Sequence, residues 1–149
     1  MMIDDISLTP LNIITTPGGD VLHALKNNEH SFMGFGEAYF SEVGFKKIKA
    51  WKRHTLMTLN IIVPIGKINF VLFDDRLGHN KMRLHEVVMS RERYMRLTIP
   101  PMIWVGFQGL SKETSLLLNV ADIPHNPEEV EKEELEKFTY NWSFEIGKL

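Results

Sequence analysis

The chain has no cysteine. Disulfides, zinc–thiolate centres and cysteine nucleophiles are therefore excluded, and the composition fits a reducing cytoplasm. No apolar run approaches the roughly eighteen residues of a membrane span. The opening residues, MMIDDISLTP, are acidic and lack the basic and apolar regions of a signal peptide. A soluble, cytoplasmic protein without a membrane partner is expected. There is also no basic excess: the formal net charge is −2 and the pI about 6.3. That removes the electrostatic case for a nucleic-acid partner. Neither a Gly-x-Ser-x-Gly elbow nor a glycine-rich phosphate loop is present, since Gly34-Phe35-Gly36 is too short and no helix follows it. Internal repeats and low-complexity segments are missing too.

What is present suits one domain spanning residues 1–149. That length, with 44% hydrophobic residues, is enough to bury a sizeable core. The most structured stretch runs from Ile48 to Arg76. Thr58 to Val63 (TLNIIV) and Ile68 to Phe73 (INFVLF) read as two long strands of an apolar hairpin, turned at Pro64-Ile65-Gly66. Shorter strands are expected within Ile3–Thr15, at Val21–Leu25, from Gly34 to Ser41, and over residues 85–89, 97–99, 103–107 and 115–120. Residues 77–84 read as loop. Ser90 to Met95 reads as a brief helical turn with Ser90 as its N-cap. Beyond Pro124 the chain becomes acidic, and Asn126-Pro127-Glu128-Glu129 has the signature of a helix start. The aromatic run from Phe138 to Phe144 is expected to pack back on the body. Roughly eight to ten short strands with close turn signals argue for an all-β sandwich or barrel of the jelly-roll kind.

Candidate chemistry is sparse. None of the six histidines (His23, His30, His54, His79, His85 and His125) has a neighbour at the one- or two-residue spacing that puts ligands on one strand face, so no metal is expected. The cluster Lys46, Lys47, Lys49, Lys52 and Arg53 is more informative. By strand alternation Lys47, Lys49, Trp51 and Arg53 face one way, and Ile48, Ala50, Lys52 and His54 the other. Lys52 and His54 thus share a face with apolar Ile48, where burial would perturb their pKa values as acid–base groups require. The alternative is a strand that frays at Trp51 and leaves both solvated. If the even positions of residues 34–41 pack on the core, Glu37, Tyr39 and Ser41 share the opposite face, as a polar pocket wall or as an ordinary solvent-facing strand. Trp104 is a core or rim aromatic able to stack on a base or sugar.

Four blocks resemble, in order, the cupin family of dTDP-4-dehydrorhamnose 3,5-epimerases. Ile48-Lys49-Ala50-Trp51-Lys52-Arg53-His54 stands where the family has Leu-Arg-Gly-Leu-His-Tyr/Phe-Gln. Gly66 through Arg76 is similar to Gly-x-Val-x-Asp-Val-x-Val-Asp-x-Arg. Met89 to Pro100, continuing to Gly106-Phe107, resembles Leu-Ser-x-Glu-Asn…Leu-x-Ile-Pro-x-Gly-x-Ala-His-Gly-Phe. Leu116 to Pro124 resembles Phe-Leu-Tyr-Lys-x-Thr-x-Tyr-Tyr. The resemblance implies a single jelly-roll barrel (the double-stranded β-helix of cupins) and a homodimer formed through an N-terminal strand. It also implies an epimerase-like protein of deoxysugar or surface-polysaccharide biosynthesis, acting without a cofactor on a nucleotide-linked, dTDP-type 4-keto-6-deoxy sugar. The departures fall on the chemistry. Lys52 replaces the family's histidine base, Leu118 its tyrosine acid, Asn119 the following lysine, and Val105 the histidine of Ala-His-Gly-Phe. By resemblance Lys49 meets the pyrophosphate, Glu37, Tyr39 and Ser41 lie on the strand that holds the nucleotide base, and Asp74 and Arg76 are kept. The implied catalytic set is Lys52 as base, with His54 or Tyr39 handling the second proton. A sugar 3,4-ketoisomerase, or a non-catalytic sugar-nucleotide-binding or assembly protein, are the rival readings.

Overall fold

The computed structural model describes residues 5–78 and 81–143. Two five-stranded antiparallel sheets face each other, as in a jelly roll. The strands are β1 (Ser7–Pro10), β2 (Ile13–Ile14), β3 (Val21–Leu22), β4 (Glu37–Val43), β5 (Ile48–His54), β6 (Leu59–Ile65), β7 (Lys67–Asp74), β8 (Arg83–Ser90), β9 (Met95–Ile99), β10 (Trp104–Gly109), β11 (Ser115–Ala121) and β12 (Val130–Lys132). One sheet runs β1-β9-β6-β11-β4 and the other β12-β5-β10-β7-β8, while β2 and β3 form a separate pair. The fold is the all-β, jelly-roll kind of architecture expected from the chain's strand pattern. Among the described residues no helix is long and apolar enough to cross a membrane.

Ile61, Val63, Phe70, Leu72, Met89, Leu97, Val105 and Leu117 fill the space between the sheets. A second apolar cluster lies on the outer face of the β5-β10-β7 sheet. There Trp51, Val71, Phe73 and Trp104 are covered by Phe138, with Tyr140 and Trp142 beside them. Phe138 stacks on Phe73 with centroids 4.5 Å apart. The aromatic tail thus closes the back of the sheet that carries the site. Phe144 lies outside the described residues, as does His79.

Two local expectations are corrected. The central hairpin is not one: β6 pairs with β9 and β11, and β7 with β8 and β10. Both strands are buried on both faces, so each needs neighbours in its own sheet. Gly66, at φ +81°, carries the chain across the corner between them. The segment after Ser90 is a tight turn joining β8 to β9 rather than a helical turn, although Ser90 Oγ accepts from the Arg93 amide at 3.3 Å. The helix start expected at residues 126–129 is present as a 3₁₀ turn over 127–129 capped by Asn126, after which the chain becomes β12.

Candidate functional site

A cavity of about 410 Å³ opens between β5 and β10 on one side and β4, β6 and β11 on the other. Its lining includes Tyr39, Ser41, Lys49, Lys52, His54 and Asn119, with Leu59, Ile61, Phe107 and Leu117 as the apolar walls. It is the interior of the barrel at one mouth.

Strand β5 supplies three of these side chains through an irregularity. It pairs with β10 as Trp104↔Arg53 and Val105↔Lys52, then shifts register before Phe107↔Lys49. Ala50 and Trp51 together oppose Gly106, so the alternation slips by one residue. Lys52 and His54 face inward as expected for their parity, but Lys49 joins them instead of pointing away. Gly106 permits the close approach, because a Cβ there would lie 2.8 Å from both the Ala50 Cβ and the Trp51 ring. The strand does not fray at Trp51, which is buried in the outer aromatic cluster and donates its indole N–H to the Leu135 carbonyl at 3.0 Å.

Strand β4 reverses its expected faces. Tyr39 and Ser41 line the cavity, whereas Phe40 on the even face is 64% exposed. The physical reason is that β4 is an edge strand whose odd face covers the barrel mouth. Tyr39 is the cross-strand partner of Asn119, and the Asn119 side-chain amide donates to the Tyr39 hydroxyl at 3.1 Å. Asn119 Oδ1 in turn accepts the Asn60 amide at 3.1 Å. Leu118 alternates away from the cavity, and its neighbours Leu117 and Asn119 are the ones that line it. A phenol, Tyr39, thus lines the cavity from the strand adjoining β11, on which Leu118 stands at the family's tyrosine position.

His54 is backed by a residue the sequence did not single out. Its Nδ1 hydrogen-bonds Glu129, which is 2% exposed. The same carboxylate accepts the backbone amides of Leu56 at 3.0 Å and Met57 at 3.2 Å. Burial pushes the Glu129 carboxyl up, but the His54 and backbone hydrogen bonds outweigh it and hold the group below its usual range. His54 itself is pushed down, first by burial and then by the Lys52 charge, against the pull of Glu129. The favoured pair is thus a neutral imidazole donating Nδ1–H to a carboxylate, with Nε2 left as the basic nitrogen. Glu129 was legible only as an acid at a helix start. It lies 75 residues from His54 in sequence, and β12 pairing with β5 brings the two together.

Lys52 is half-buried and pushed down, first by burial and then by Lys132, its cross-strand partner on β12. Lys49 donates to Ser41 Oγ at 3.1 Å and to the Glu42 carbonyl at 2.7 Å, which holds its ammonium at the cavity wall. Burial pushes the Tyr39 phenol up, so it stays protonated at neutral pH.

The remaining candidates lie elsewhere. Glu37 is on β4 but not in the cavity lining. Asp74 is 4% exposed and is tied to Arg76, whose guanidinium also binds Asp5 at 2.7 and 2.8 Å. Those groups fasten the N-terminal segment to the end of β7. Trp104 packs against Phe138, with the Arg53 guanidinium 4.5 Å from its ring and Asp75 accepting its indole N–H at 3.3 Å. A larger cleft, about 750 Å³, opens beside Phe45, Lys67, Ser111 and Trp142. Among the described residues its lining contains lysines and Glu113 but no histidine or tyrosine.

No protein-family model matches the chain. A dTDP sugar isomerase of Desulfovibrio desulfuricans G20 is 39% identical, with a TM-score of 0.89 over 94% of this chain and 92% of that one. A dTDP-4-dehydrorhamnose 3,5-epimerase of Elizabethkingia anophelis superposes with a TM-score of 0.78 at 14% identity, over 98% of this chain and 85% of that one, a likeness of fold. A probable low-salt glycan biosynthesis epimerase of Haloferax volcanii is 24% identical over 97% of both chains. With more than a third of its residues shared over nearly the full length of the Desulfovibrio protein, the chain belongs to the dTDP-sugar isomerase family of cupins, the relatives of dTDP-4-dehydrorhamnose 3,5-epimerase.

Proposed function

We propose that this protein binds a nucleotide-linked keto sugar, carried on dTDP, and epimerises or isomerises it at a carbon beside the ketone. The observation that carries this reading is one cavity holding an imidazole backed by a buried carboxylate, a protonated phenol and an amine of lowered pKa. Moving a stereocentre next to a carbonyl needs a base for the α-proton and an acid to return a proton. His54 serves as the base through Nε2, held in register by Glu129. Tyr39, oriented by Asn119, returns the proton. This moves the base from Lys52, where the resemblance put it, to the neighbouring side chain that has a built carboxylate partner. Lys49 meets the diphosphate as a positive charge at the cavity wall. Support for dTDP comes from the relatives, described as a dTDP sugar isomerase and a dTDP-4-dehydrorhamnose epimerase. The relative named for glycan biosynthesis supports a place in making sugars for a glycan.

The test is solvent deuterium exchange into dTDP-4-keto-6-deoxyglucose, followed by NMR. Label is expected at C3, C5 or both, and the labelled carbons and the product's carbonyl position distinguish epimerisation from keto-group migration. His54→Gln is expected to lower exchange by about 10²–10⁴-fold while nucleotide-sugar binding persists. Binding without exchange at any carbon would leave a non-catalytic sugar-nucleotide binder and overturn the enzymatic reading.

A further inference from the structure

The cavity already contains a base with its carboxylate, an acid, and a cation at the wall. Lys52 fills none of these places. It stands mid-strand between Val105 on β10 and Lys132 on β12, its two cross-strand partners. Lys49 and Lys137 engage oxygen acceptors; Lys52 makes no such contact among the described residues. The groups around it are Lys132, His54, Tyr39, Glu37 and Glu129. Glu129 is committed to His54 and two backbone amides. A half-buried amine beside a second cation and without an ion-pair partner is the arrangement that makes a lysine nucleophilic rather than merely positive.

We infer that Lys52 is a covalent catalyst whose amine condenses with the keto carbon of the bound sugar to form a protonated imine. This rests on the keto-sugar reading of the cavity. The lowered pKa of Lys52 supplies part of the amine in its neutral form. Its Nζ lone pair adds to the carbonyl carbon, and the C=O π pair moves to oxygen, which takes a proton from Tyr39. Proton transfer from nitrogen to that hydroxyl lets it leave as water, and the nitrogen lone pair closes the C=N⁺ bond. The iminium withdraws electrons from the adjacent C–H, so His54 removes its proton and an enamine forms. Tyr39, its proton replenished from solvent, then delivers a proton to the opposite face of the same carbon. Water adds back to the imine and the amine leaves; the proton released goes to the Tyr39 phenolate and the one on His54 to solvent, so the ketone, free Lys52 and both acid–base groups are regenerated. The water lost is the water regained, and no oxidant or reductant is consumed.

The experiment is reductive trapping. Full-length protein is incubated with dTDP-4-keto-6-deoxyglucose and sodium cyanoborohydride, then read by intact and peptide mass spectrometry. A stoichiometric sugar-derived adduct on the Lys52 peptide is expected, absent in Lys52→Arg. In parallel, the keto oxygen of ¹⁸O-labelled substrate should wash out at least as fast as carbon-bound deuterium is gained, and Lys52→Arg should slow both by at least 10²-fold. Turnover without any Lys52 adduct and without enzyme-dependent oxygen exchange would overturn the imine while leaving the isomerase intact. Neither carbon exchange nor an adduct, despite nucleotide-sugar binding, would sink both. The wild-type trapping reads the proposal even if Lys52→Arg fails to fold.

Discussion

His54 and Glu129 show how one side chain defines another's chemistry. The carboxylate accepts from the imidazole and from two backbone amides, so it is a structural clamp on the segment after β5 and, in the proposed reaction, a support for the base. Glu129→Gln preserves the shape and removes the charge. We expect it to lower kcat by about 10- to 100-fold with little change in KM. Glu129 raises the pKa of His54, so its loss should move the acidic limb of the pH–rate profile to lower pH. A pH–rate series on both proteins checks this, and a purely structural role for Glu129 would leave the limb in place. The sequence pointed to Lys52, His54 and Tyr39 through strand parity and family motifs. It was silent on Glu129, because a carboxylate 75 residues away is selected by sheet pairing and not by any local pattern.

Strand β5 is the element on which the site depends. Its parity places Lys52 and His54 inward, and only its slipped pairing with β10 adds Lys49. That slip was not readable, since it depends on which residue of β10 meets Ala50 and Trp51. Gly106 is that residue. Gly106→Ala would press a methyl to 2.8 Å from two neighbouring groups. The expected cost is about 1–3 kcal/mol of stability, measurable by urea denaturation, with substrate affinity falling as Lys49 is displaced. A variant that unfolds at the wild-type midpoint would show that the close packing of β5 on β10 is dispensable. The apparent hairpin of β6 and β7 teaches the same lesson. Two apolar runs around a Pro-x-Gly suit a hairpin and a sheet-to-sheet corner equally well. Burial on both faces decides for the corner, because a strand flanked on both sides in its own sheet has no edge left for its sequence neighbour.

Across the whole molecule, charge is used to fasten ends. Asp5 and Asp74 are held below the ordinary carboxylate range, chiefly by hydrogen bonds from Arg76. Groups with depressed carboxyl pKa values stabilise the fold above their unfolded pKa and lose that contribution as pH falls through the folded one. His54 is depressed as well, so the unfolded chain takes up its proton first. Its neutral buried form favours folding above an unfolded pKa of about 6.5, and that advantage declines as pH drops below it. Stability against heat should therefore fall in two stages, one beginning near pH 6.5 and a steeper one below about pH 4. In His54→Gln the first stage should shrink, with His85, also pushed down by burial, supplying the remainder, and the second should remain; an unchanged first stage would assign it wholly to another group. By itself the sequence determined the all-β class, the barrel family, the inward parity of Lys52 and His54, and the absence of thiol chemistry, because these follow from composition, period-two patterning and contiguous motifs. Tertiary structure alone decided that Glu129 backs His54, that Tyr39 lines the cavity beside Asn119, that Lys49 turns inward, and that Asp74, Arg76 and Trp104 brace the scaffold. Each of those depends on register between strands distant in the chain, which is set by packing of the whole barrel rather than by any local run of residues.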